Sequence, residues 1–178
     1  MAPGTEAAVA VHRASGSSAG DNDFYFIKQQ NYDQDNQAEE EGPEGGANDT
    51  AAGAEALAIE DGRGYLLGFV SPSGDVDYWS FPADAGDDLT LVCGALRDGS
   101  GLEGATFTLR DTSDALVQTE VETATADVRW SDSPYTENSM PAVSIESSGF
   151  YYLEVSAEGQ SDTVSSDFYR CGLYLTQE

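Results

Sequence analysis

The stretch Gly74-Asp75-Val76-Asp77-Tyr78-Trp79-Ser80-Phe81 sets two carboxylates at alternate positions just ahead of an aromatic alternation. Such a pair can serve acid/base chemistry, ligate a hard cation through oxygen, or cap a turn with side-chain hydrogen bonds. Trp79 and Phe81 share one parity and point to a core, while Tyr78 and Ser80 point away. The carboxylates therefore stand at the mouth of a strand, where a metal or a turn outweighs acid/base work. The rest of the catalytic inventory is thin. His12 is the one histidine and lies in a low-complexity N-terminus, and the chain has no Gly-x-Ser-x-Gly, phosphate loop or Cys/His pair. With 33 acidic residues, some carboxylate pairs are neighbours by chance, and none is marked as buried or flanked by a substrate platform. Acidic runs at 32–36 (YDQDN) and 84–88 (DAGDD) lack the glycine and terminal glutamate of an EF-hand. No catalytic residue is assigned, and the chain is read as a non-enzyme.

Charge narrows the partners. Thirty-three acids against 7 basic residues leave a net charge of −26, with Lys28 the only lysine. Phosphate contacts need clustered Lys and Arg, so nucleic acid is excluded as a direct partner, and anionic membrane surfaces are disfavoured on the same ground. A surface this acidic requires salt screening or divalent cations to limit self-repulsion, as in a saline medium. No run of 18 apolar residues predicts membrane insertion, and the first thirty residues lack the basic start and apolar core of a secretion signal. An exported protein would have had its signal removed from this sequence. Cys93 and Cys171 lie in separate predicted strands with inward parity, which suits one disulfide; two buried free thiols are the alternative.

The elements that must position these residues are β-strands. From Tyr65 onward short alternating segments are separated by Gly, Asp, Ser and Pro. Strands are predicted near 64–70, 76–82, 88–95, 105–110, 115–121, 126–130, 142–146, 150–156 and 168–175, giving an all-β, antiparallel sandwich of eight or nine strands over 57–178. Residues 31–56, rich in Gln, Asn, Glu and Gly and without periodicity, read as an acidic linker. Residues 1–30 read as a tail with one strand, whose Asp-Phe-Tyr tripeptide repeats that at 167–169, setting Tyr25 on Tyr169 and Ile27 on Cys171. This lone strand, Phe24, Tyr25, Phe26 and Ile27, is either the tail of a preceding module or a strand for edge addition to another copy; chance likeness is the third account.

The ordered run Asn48-Asp49-Thr50, an Ala-rich spacer, GFVSPSGDVDYWSF (68–81), AGDDLTLVC (85–93) and SGFYYLEVSA (148–157), ending in FYRCGLYL (168–175), resembles the bacterial pre-peptidase C-terminal domain over roughly residues 44–176. The stretch from about 122 to 141 is longer than that pattern, and no peptidase domain accompanies it. The resemblance implies a jelly-roll-like β-sandwich of the kind appended to secreted peptidases and similar to the collagen-binding domains of clostridial collagenases. In those relatives, an acidic segment before the first strand and an Asp-rich turn before the second hold calcium. Carried over, this implies a Ca2+ site at Asn48, Asp49 and Asp77, with Asp75 close by and Glu44 upstream; a capped turn is the competing reading. It also implies a ligand surface at Tyr152, to which Trp130, Tyr135, Met140 and Phe150 are added as aromatic or apolar candidates in or beside the long insert and on the same strand; core packing is the stronger reading for Trp130, and an ordinary cross-strand aromatic the stronger one for Tyr152. The functional expectation is a secreted, extracellular, non-catalytic module with a structural or adhesive role toward another protein or an extracellular polymer. The alternative is a self-assembling filament subunit that donates its N-terminal strand.

Overall fold

The computed structural model describes residues 36–40, 46–96, 100–123, 128–130, 142–159 and 167–177. The chain divides into Met1–Asn31 and Tyr32–Glu178, and every described residue lies in the second unit. The segment Phe24 to Ile27, with Glu44, Tyr135 and Met140, falls outside the described residues.

The fold is a β-sandwich. The described strands are β1 (Asn36–Ala38), β2 (Glu55–Ala56), β3 (Arg63–Phe69), β4 (Val76–Ala83), β5 (Asp87–Gly94), β6 (Glu103–Arg110), β7 (Leu116–Val121), β8 (Val128–Trp130), β9 (Val143–Ser144), β10 (Gly149–Gly159) and β11 (Phe168–Gln177). One sheet runs β1-β3-β11-β5-β8, with β9 also on β5; the other runs β2-β4-β10-β6-β7. Alternation produces both. In β5 the inward Leu89, Leu91 and Cys93 are buried, and in β11 Tyr169, Cys171 and Leu173 match them from the neighbouring strand. From the second sheet Trp79, Phe81, Phe107, Leu109, Leu153 and Val155 close the same core. Two contacts knit the layers: the Trp79 indole N–H donates to the Tyr169 hydroxyl at 2.6 Å, and Phe107 meets Tyr169 edge-on at 6.2 Å; within the second sheet Phe81 stacks on Tyr151 at 6.4 Å.

Two expectations are corrected. The segment read as a linker is in part structural, because β1 pairs parallel with β3 and β2 pairs parallel with β4, making the sheets mixed rather than wholly antiparallel. Neither strand carries an apolar alternation; side chains anchor them. Gln37 donates to Glu55 Oε1 at 3.2 Å and to the Ala56 carbonyl at 2.7 Å, and accepts from the Ala58 N–H at 3.0 Å, clipping one margin of the sandwich together. Trp130, a candidate for the binding surface, is instead fully buried, because β8 pairs with β5 and sets it opposite Leu91 on the inner face.

Cys93 and Cys171 form a disulfide between directly opposed positions of β5 and β11, closing a loop with a sequence separation of 78. In the chain-entropy account a loop of that length stabilises by about 4 kcal/mol. Replacing both cysteines with alanine is expected to lower the unfolding free energy by about 4 kcal/mol and to raise the denaturant m-value, because the unlinked denatured chain opens further, both read from urea unfolding.

Candidate metal centre

Asp77 has the same parity as Trp79 and Phe81, so β4 turns its carboxylate between the sheets, where it is fully buried. Neither carboxylate oxygen has a partner in hydrogen-bond geometry. The Tyr169 phenol is its neighbour from β11; Gly68, opposite Tyr169 on β3, has no side chain because a Cβ there would run into that ring. Burial, then the negative charge of Glu39, push the Asp77 carboxyl up to about 10, while Tyr169 softens the shift and Asp75 adds a smaller push. Burial also drives the Tyr169 hydroxyl well above its ordinary value.

Three further oxygen-bearing side chains border Asp77. Asp75 is buried and accepts the Ser71 N–H at 2.7 Å, while its own N–H donates to the Pro72 carbonyl at 3.0 Å. It therefore performs the turn-capping role, with a buried carboxylate left beside Asp77. Asn48 is buried, accepts the Tyr78 N–H on its carbonyl at 2.9 Å, and donates its amide to Glu39 Oε1 at 3.1 Å. The other Glu39 oxygen accepts the Phe69 N–H at 2.8 Å, which fixes the chain just after β1 against the end of β3.

The structure thus sets Asp75 near Asp77, ties Asn48 to the same end of β4 through Glu39 and the Tyr78 N–H, and turns Asp49 to solvent. It adds Glu39, which sequence reasoning missed: in the run Gln37-Ala38-Glu39-Glu40-Glu41 nothing distinguishes one acid from the next. For Asp77 the signal was available in its parity with Trp79. Among the described residues no three His, Cys, Asp or Glu side chains already converge to ligand distance. What this end of β4 offers is oxygen chemistry, the carboxylates of Glu39, Asp75 and Asp77 and the Asn48 amide, with both Asp77 oxygens buried and outside hydrogen-bond geometry.

On the outer face of the second sheet, Tyr152 is half-buried between Ser80 and Arg110 in register. Beside it the Glu154 carboxylate accepts from the Tyr78 hydroxyl at 2.8 Å and pairs closely with Arg110. Phe150 on the same strand is 59% exposed.

No family model matches the chain, and no curated protein matches it. Among solved structures it is similar to the pre-peptidase C-terminal domain of a collagenase from Bacillus anthracis, with 13% identity, a TM-score of 0.40, and coverage of 69% of this chain and 94% of that one. It is also similar to PliG, a periplasmic inhibitor of g-type lysozyme: the Salmonella Typhimurium protein at 16% identity and TM-score 0.39, covering 69% of this chain and 99% of that one, and the Aeromonas hydrophila protein at 15% and 0.37, covering 69% and 96%.

An acid whose folded value is raised contributes its full stability below the unfolded value of 3.8 and loses it as pH climbs toward about 10. In metal-free buffer, stability should therefore fall with rising pH across that window through this group. Asp77→Asn, which mimics the protonated form, is expected to flatten the slope and to raise the melting midpoint at about pH 8 by about 5 °C or more. A midpoint lowered equally at every pH would contradict this.

Proposed function

We propose that the chain is a non-catalytic, secreted β-sandwich module with a structural or adhesive role toward another protein or an extracellular polymer, and that calcium stabilises it at the Glu39, Asn48, Asp75 and Asp77 cluster. The observation that carries the metal reading is Asp77, a carboxylate sealed between the sheets with both oxygens unpartnered. A buried charge without a counter-charge is costly, and a divalent cation beside three carboxylates removes that cost. When bound, calcium supplies positive charge; the protein supplies Asp77 from β4, Asp75 from the preceding turn, and Asn48 and Glu39 from the segment that edges the sandwich. Tying that segment to the first and second long strands stiffens the module where the chain enters it. Sealed from solvent, Asp77 has no route to a substrate, which speaks against acid/base chemistry. The disulfide supports an oxidising, extracellular setting. Phe150 and Tyr152 support an adhesive surface, since aromatic rings on an open sheet face are a common contact chemistry.

A second reading, a subunit that hands its leading strand to a neighbour, is favoured by the apolar edge of β7, which no described strand pairs beyond β6.

Thermal melting in excess calcium against chelator tests the first reading. At a free concentration about 100 times the dissociation constant, the ion is expected to add about 2.7 kcal/mol and to raise the midpoint by about 5–10 °C. Asp77→Asn is expected to abolish the increment. An unchanged wild-type midpoint in millimolar calcium removes the metal.

A further inference from the structure

Three of the four large apolar side chains that stand exposed among the described residues lie on one strand: Leu116 is 60%, Val117 42% and Val121 48% exposed, all on β7. That strand ends its sheet, pairing with β6 on one side and with no described strand on the other. Its six residues, Leu-Val-Gln-Thr-Glu-Val, include no Lys, Arg or Pro, the usual guards of an open edge. A register shift opposite Leu109 and Arg110 bends only its beginning. On its inner side Gln118 Nε2 and Glu120 Oε2 are buried and lack partners, so β7 has unmet donor and acceptor capacity beyond its main chain.

The chain also carries an N-terminal segment whose sequence reads as a strand. Phe24-Tyr25-Phe26-Ile27 is the one aromatic-rich run in the first 56 residues, and Lys28, which follows it, is the only lysine. The tether from Ile27 to Asn36 spans nine residues and reaches about 30 Å when taut. It joins at β1, whose margin Gln37 clips to β2, whereas β7 closes the opposite margin, four strand spacings or about 19 Å away across the sheet face. Rounding both margins adds roughly the 10 Å depth between sheets, so a cis connection would have to be fully extended. A second copy imposes no such limit.

We propose that β7 is the acceptor edge for the Phe24–Ile27 segment of a second copy of this chain, so that copies join through an added strand. Main-chain hydrogen bonds to β7 supply the affinity, the apolar side chains cover Val117 and Val121, and Lys28 brings a cation toward Glu120. The contact is heterologous, since the donating segment and the accepting edge are different parts of the chain, so it propagates head to tail unless two copies exchange strands and close. This rests on the strand-donating reading.

The test is light scattering of the full-length protein over a concentration series at about 1 M salt, where the screening length is about 3 Å and repulsion between copies of charge −26 is damped. The expected result is a concentration-dependent rise in mass that returns to monomer in Val117→Lys/Val121→Lys and, separately, in Phe24→Asp/Phe26→Asp, each with an unchanged circular-dichroism spectrum. Mixing the two variants is expected to restore a dimer and nothing larger, because one retains a donor and the other an acceptor. Oligomers that persist in the β7 variant overturn the assigned edge while leaving self-assembly standing; wild-type monomer at every concentration overturns both.

Discussion

One side chain organises the site end of this sandwich. The pleat of β4 gives Asp77 no choice of face: Trp79 and Phe81 must be inside, so Asp77 is inside as well. An isolated carboxylate between two sheets is a strongly unfavourable charge, and the surroundings respond to it. The proton is held far above its ordinary range, Tyr169 softens that shift, and the Glu39 and Asp75 carboxylates each accept a backbone N–H. The same parity rule that builds the core therefore creates the one place in it that is incompletely compensated.

That place is also where the two sheets and the leading segment meet. Tyr169 belongs to β11 and accepts the Trp79 indole of β4 across the core, and Glu39 fastens the end of β1 to β3 while holding the Asn48 amide. A cation at this locus would be coupled to each of these elements at once, linking charge neutralisation to the seating of the segment before the sandwich. The opposite margin has a different character. β7 presents valine and leucine to solvent in a chain of net charge −26, a local apolar exception on a protein whose long-range field keeps copies apart at low salt.

Most of the architecture was legible in the sequence because burial on one face writes itself as alternation. Each of the nine described strands from β3 to β11 overlaps an expected segment, with ends displaced by up to three residues, and the inward parity of Cys93 and Cys171 suited the bond they form. The strands β1 and β2 were not legible: they are two or three polar residues held by Gln37 and Glu55 rather than by apolar periodicity. Glu39 was invisible for a related reason, since its role comes from the Phe69 N–H and Asn48 amide it meets in space, not from its neighbours in sequence. For Trp130 the alternation with Val128 pointed to core and the polar insert beside it to a platform, and the pairing of β8 with β5 decides for core.

The most direct measurement is the titration of the Asp77 carboxyl itself, by carbon-13 NMR of side-chain-labelled, metal-free protein with Asp77→Asn as the assignment control. The account predicts a carboxyl that stays protonated through neutrality and titrates far above the ordinary carboxylate range, toward about 10. Titration near the ordinary value of 3.8 would show a solvated or compensated carboxylate and contradict it.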